Sequence, residues 1–268
     1  MKKLMVSLVA YGADGVTVVA KDVPDVRYPV FVGKGSSLAA NNCDFAFGNA
    51  TCGFNQAGGS PSATFTGCTI TFKDMIRGGS TVLSAFTDQD GKAANCTYAF
   101  VDSEVTIDDA QHGFSHIQNL ILDNSTVTIN DVGFFGIYDC GSVQLLNDAK
   151  LQVKCGTYDF DPSAYVMEGY AAFADVYKAG TWTVGPAAAQ AFRFTTGSNK
   201  GTMCVYDVGN EAIDAAQSGE TVVLVSGTAT AEKTLNRGEK LTLVYRNDAA
   251  YDYKSLVHAV DPCKVVAA

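Results

Sequence analysis

Residues 122–129 read LDNSTVTI, and two further stretches share the pattern, FVDSEVTI at residues 100–107 and LNDAKLQV at residues 146–153. The copies thus begin at positions 100, 122 and 146. In each, an apolar residue leads into a polar corner that ends on a small side chain, and an alternation follows. Val105 and Ile107, Val127 and Ile129, and Leu151 and Val153 stand two apart, which in an extended chain puts each pair on one face. A second apolar pair precedes each corner: Tyr98 with Phe100 (or Ala99 with Val101), Leu120 with Leu122, and Val143 with Leu145. Asp102-Ser103, Asp123-Asn124-Ser125 and Asn147-Asp148-Ala149 suit a bend. One repeat is therefore strand, corner, strand and a variable loop.

A period of roughly two dozen residues is what one coil of a parallel β-helix needs, because three short strands and their turns must close a circuit before the chain stacks on its previous turn. A repeat this short cannot bury its apolar face alone, whereas stacking lays each inward Val, Ile or Leu over its counterpart. Upstream, residues 36–55 and 62–88 show the same alternation at less regular spacing, so five to seven coils are expected in all. KDMIRGGS and TDQDGKAAN would protrude from one side as loops.

The expected class is all-β: a right-handed parallel β-helix with a small β-rich C-terminal unit. Residues 1–35 supply an export-signal-like segment or first strands, and residues 36–160 the coils. Residues 161–200 supply a cap helix, a hairpin and a connection, and residues 201–268 the C-terminal unit. Asp161 as N-cap, Pro162 at the first helical position and Gly169 as a stop predict one short helix, followed by a hairpin carrying Trp182.

Acidic residues outnumber basic ones 28 to 19, a net charge of -9, which repels a phosphate backbone and argues against a nucleic-acid partner. No apolar run reaches the roughly 20 residues of a membrane-spanning helix. Lys2 and Lys3 ahead of LMVSLVAY, with Ala10 and Gly12 behind, have the order of an export signal, and a first strand is the other reading. None of the eight cysteines, at 43, 52, 68, 96, 140, 155, 204 and 263, forms a C-x-x-C pair, and the chain has only three histidines. A zinc site is poorly supported, and both disulfides after export and buried thiols stay open, with thiols favoured.

CGTYDFDPSAYVMEGYAA with GTWTVG (residues 155–185) and EAIDAAQSGETVVLV (residues 211–225), together with the three coils, resemble the right-handed parallel β-helix repeat proteins of bacterial surfaces, the pectate-lyase-like group. The resemblance covers about half of the chain and implies a secreted or cell-surface location. It also implies an adhesin-like role in which the protein binds a glycan, or a host or neighbouring surface protein. One departure stands out: the AIDAAQSGETV element normally opens a long run of coils, and here about 57 residues remain counted from its first residue.

Enzymes on this fold need carboxylates grouped on one face. The candidates are Asp108, Asp109 and His112 in IDDAQHGFSH, with His116 nearby, which resemble the paired Asp and Gly-His-Gly of polygalacturonases only loosely. A solvated loop is the favoured reading. A lyase would add Ca²⁺ held by carboxylates, for which Asp88, Asp90 and the corner row Asp102, Asp123 and Asp148 are the candidates, and Arg77 is the only Arg of the coil region. Stacked Asp and Asn at corners also have a purely structural use, so no metal ligand is assigned and no cofactor is expected. Phe134, Phe135 and Tyr138, near Tyr158 and Tyr165, are the candidates for stacking on a sugar ring, with core packing as the alternative. The expectation leans to a non-catalytic binder. A polysaccharide lyase or glycoside hydrolase, or a structural spacer of a longer surface protein, are the alternatives.

Overall fold

A computed structural model describes residues 13–14, 17–23, 30–32, 36–50, 53–56, 60–75, 84–88, 96–175, 178–195, 203–224, 228–229, 233–235, 239–245, 250–251, 257–259 and 264–267. The export-signal-like residues 1–12, Arg77, Asp90, Cys52 and Cys263 lie outside the described residues. The chain divides into two compact units, residues 1–159 and 160–268. Among the described residues strand far outweighs helix, so the fold is all-β.

In the first unit each circuit visits three faces. Face B is a six-stranded, wholly parallel sheet of Thr17–Val23, Asp44–Ala50, Thr69–Lys73, Glu104–Ala110, Thr126–Val132 and Lys150–Val153, which fixes six coils among the described residues. Face A holds Ala13–Asp14, Ser37–Asn41, Ser62–Thr66, Thr97–Val101 and the second halves of two long strands, His112–Asp123 and Phe135–Leu146. The first halves of those two strands lie on face C with Val30–Val32, Phe54–Gln56, Ser84–Asp88 and Gly156–Tyr158. The result is the parallel β-solenoid that the repeat requires.

The register realises the sequence period. Val105 faces Ile70 and Val127, and Val127 faces Leu151. Ile107, Ile129 and Val153 form the neighbouring column. All are buried, Val105 and Val127 completely and Leu151 to 4% exposure. Toward the N-terminal coils the aliphatic columns give way to phenylalanine. Phe86 stacks on Phe54 (5.2 Å, 4°) and on Phe114 (4.7 Å, 2°), and meets Phe72, Tyr98 and Phe100 edge-on. Parallel coils place identical rings one strand spacing apart, where offset stacking adds about 0.5–1.5 kcal/mol per pair to the burial itself.

The corner from face A to face B is built from one left-handed residue and one small one. Asn42, Gly67, Asp102, Asn124 and Asn147 occupy it with φ between 47° and 62°, a region that Gly, Asn and Asp tolerate best. Next come Cys43, Cys68, Ser103, Ser125 and Ala149, stacked just inside the corner. In the last coil Asp148 is an extra corner residue. Leu145 therefore lies over Leu122, and Leu146 lies over Asp123, 44% exposed.

In the second unit Asp161 Oδ1 accepts from the N–H of Ser163 at 3.0 Å, but the expected helix is a single 3-10 turn, Ser163–Tyr165. Tyr170–Ala174 and Trp182–Pro186 form the antiparallel hairpin. Ala191–Phe194 pairs antiparallel with Met203–Tyr206 and with Thr221–Leu224. After the helix Gly209–Ala215 the chain again coils in parallel. Thr221 faces Thr242 and Thr242 faces Lys264, so each turn has nearly the length of a coil in the first unit. Shorter parallel pairs, Thr228–Ala229 with Ala250–Tyr251 and Lys233–Leu235 with Val257–Ala259, complete these turns. Arg193 is tied inside this unit by Glu220 (2.9 Å) and the Tyr206 hydroxyl (3.0 Å).

Candidate functional site

Face C of the fourth and fifth coils carries a repeated sequence element, His112-Gly113-Phe114 and then, one coil on, Phe135-Gly136-Ile137, with Phe114 and Ile137 in register. Both glycines are needed for close approach. A Cβ on Gly113 would collide with the carbonyl oxygen of Gly136, and one on Gly136 with the Tyr158 hydroxyl. That hydroxyl donates to the Cys155 carbonyl at 2.8 Å, and Tyr158 is fully buried, so of the candidate aromatics it belongs to the core. Tyr165 belongs to the second unit.

Tight packing behind the glycines pushes a row of rings toward the surface. His112 stacks on Phe135 (5.0 Å between ring centres) and on Phe134 (5.7 Å), and Phe135 stacks on Tyr138 (4.0 Å, 15°). Phe134, Phe135 and Tyr138 are half-buried, while His112 is only 7% exposed. Three of the sequence-predicted binding residues and one predicted catalytic residue thus meet in one shelf. Phe134 is held there from both sides: its N–H donates to the Gln111 carbonyl (2.9 Å) and its carbonyl accepts from Thr157 N–H (2.7 Å).

Burial, helped by the nearby His116, lowers the pKa of His112 to about 4, because the charged imidazolium would lose its hydration. The ring is therefore neutral at physiological pH. Among the described residues its Nδ1 and the Oε1 of Gln111 have no hydrogen-bond partner. Beside the shelf, at the corner from face C to face A, His116 and Asp139 both adopt left-handed backbone (φ 57° and 52°). His116 Nδ1 and Asp139 Oδ2 lie 2.7 Å apart, and Asp139 N–H donates to Asp159 Oδ2, also at 2.7 Å.

Asp108 and Asp109 lie on the way from face B to face C. Asp108 is in register with Lys73 on one neighbouring coil and, across a bulge, with Asp131 on the other. Asp109 adopts φ 85°, and its carbonyl accepts from Met75 N–H at 3.0 Å. The corner row is bonded within itself: Asn124 Nδ2 donates to Asp102 Oδ1 at 2.7 Å, and Asn147 Nδ2 to Asp123 Oδ1. Asp148 is exposed. No group of three or more His, Cys, Asp or Glu suited to a metal ion occurs among the described residues. No helix among them is long and apolar enough to cross a membrane.

The sequence favours His112 in a solvated loop, whereas in the structure it is buried and the His116–Asp139 contact beside it has no counterpart in the sequence pattern. The signal that would have found them is the ring-Gly-apolar element repeated one coil apart, which marks two strands in contact through their glycines. The chain matches no family model, no curated protein and no solved structure.

Proposed function

We propose that the chain is a non-catalytic, adhesin-like protein of the secreted or cell-surface kind, and that the shelf formed by Phe134, Phe135 and Tyr138 over His112 binds a glycan by stacking on a sugar ring. The carrying observation is the row of half-buried rings held in fixed order by the Gly113–Gly136 contact. A flat aromatic surface that is already ordered loses little conformational entropy on binding. The neutral His112 leaves the base of the shelf uncharged, and the acidic chain around it favours a neutral or basic glycan over a polyanion. Kinship with the pectate-lyase-like bacterial surface proteins is part of this reading and rests on the coil period and on residues 155–185 and 211–225.

The test is incubation with a panel of plant and mucin glycans, recording both depletion from solution and new reducing or unsaturated ends. Depletion of at least one glycan without new ends is the expected result. New ends would replace the reading with a polysaccharide lyase or glycoside hydrolase using Asp108, Asp109 and His112. Neither depletion nor new ends would reduce the chain to a spacer.

A further inference from the structure

The stacked corner positions Cys43, Cys68, Ser103 and Ser125 carry a chemical option that the serines lack. Cys43 and Cys68 are equivalent residues of consecutive coils: the residue pairs flanking them, Asn41 with Thr66 and Asp44 with Thr69, are in register. Thr69 N–H donates to the Cys43 carbonyl at 3.0 Å, which fixes the two corners against each other. Both side chains point inward, 1% and 2% exposed, and both are in the thiol form. Cys43 Sγ donates to the Asn41 carbonyl at 3.1 Å, and Cys68 Sγ lies 3.4 Å from the carbonyls of Ala40 and Thr66. The two side chains are neighbours on adjacent coils, and burial together with the Cys43 neighbour raises the Cys68 thiol above its ordinary value.

We propose that Cys43 and Cys68 are a disulfide-forming pair that staples the second coil to the third. Neighbouring parallel strands run about 4.8 Å apart, inside the roughly 4.4–6.8 Å between α-carbons that a disulfide spans. The oxidant is an organic or protein disulfide. One protein thiol gives up its proton and attacks the oxidant's S–S bond, releasing one thiol and leaving a mixed disulfide. The second protein thiolate then displaces the remaining oxidant sulfur. A Cys43–Cys68 bond forms, two electrons pass to the oxidant, and it leaves as two thiols. The other described cysteines have different settings: Cys96 Sγ faces the His116 carbonyl (3.7 Å), Cys140 Sγ the Tyr138 carbonyl (3.6 Å), Cys155 Sγ the Val132 N–H (3.1 Å) and Cys204 Sγ the Arg193 guanidinium (3.7 Å). The staple is independent of what the aromatic shelf binds.

Burial makes both thiols slow to react in the folded chain, so the full-length reduced protein is unfolded in denaturant and refolded in a buffer of reduced and oxidised glutathione. Acid quenching, alkylation and peptide mapping by mass spectrometry then follow. The expected product links the Cys43 and Cys68 peptides, with a loss of two hydrogens. It melts about 5 °C or more above the same protein after reduction, since closing the loop between the two corners constrains the unfolded chain. Cys43→Ser and Cys68→Ser, tolerated because serine already fills this corner in later coils, should each abolish that difference. Separately alkylated Cys43 and Cys68 peptides, or either cysteine linked elsewhere, would overturn the proposal.

Discussion

The backbone N–H of Ser103 donates to the Ser125 hydroxyl, one coil along the stack, at 2.9 Å, and the Ser103 hydroxyl accepts from Cys68 N–H at 3.0 Å. The same Ser103 hydroxyl lies 2.8 Å from the Val101 carbonyl and 3.1 Å from that of Phe65. Three successive corners are thus joined through side chains, at a place where the sheet ladders on either side are interrupted. Buried backbone donors must be matched, and these two serines match them.

Ser103→Ala should therefore leave the Cys68 N–H unsatisfied and lower the unfolding free energy by about 1–3 kcal/mol. Urea denaturation followed by circular dichroism measures this. A change smaller than about 0.5 kcal/mol, the size of an ordinary surface substitution, would show that water or a shifted backbone replaces the hydroxyl.

The left-handed corner predicts an ordering of substitutions at Asn124 (φ 47°). Asn124→Gly should be nearly neutral in backbone terms, losing only the exposed bond to Asp102. Asn124→Val should cost about 1–3 kcal/mol, because a β-branched residue resists this region. The midpoints of thermal unfolding for the two variants would rank them, and equal midpoints would contradict the corner geometry.

Phe86 sits in the middle of the aromatic column and is fully buried. Phe86→Ala should cost about 3–5 kcal/mol, from lost burial and from a cavity that stiff neighbouring coils cannot close. Phe86→Leu should cost less. A loss below about 1 kcal/mol for the alanine variant would mean that the coils can collapse onto the gap.

His112 links stability to pH. Its folded pKa lies near 4, below the ordinary 6.5, so above pH 6.5 it is neutral in both states and imposes no penalty. As pH falls from 6.5 toward 4 the unfolded chain takes up a proton that the folded chain refuses. Stability drops by up to about 3 kcal/mol and levels off below 4. His112→Phe, which preserves a flat ring, should remove roughly one proton from the pH dependence of unfolding across this window. An unchanged slope would place the imidazole in contact with water.

The spacing of LDNSTVTI and its copies made the stack and the columns Val105–Val127–Leu151 and Ile107–Ile129–Val153 legible, because the first four residues of these face B strands alternate between outward and inward side chains. Face C was not legible. Phe54–Gln56 and the residues from His112 to Ser115 are buried on both sides, so alternation is lost, and strands of three residues give no period. The aromatic candidates Phe134, Phe135 and Tyr138 could be named from composition and position, but their assembly over a buried His112 depends on two glycines touching across coils. The parallel return of the chain after Thr221 was legible only in part. EAIDAAQSGETVVLV pointed to an opening coil, while the short segments at 228–229 and 233–235 carry too few residues to show a face.

The most direct test of the aromatic shelf is isothermal titration calorimetry with the glycan that the panel identifies, comparing the unmodified protein with Phe135→Ala and Tyr138→Ala. Each variant should bind about 10-fold or more weakly, as expected when a central aromatic anchor is truncated, while both melt close to the parent. Undiminished affinity in both well-folded variants would contradict it and move the binding surface elsewhere on the coils.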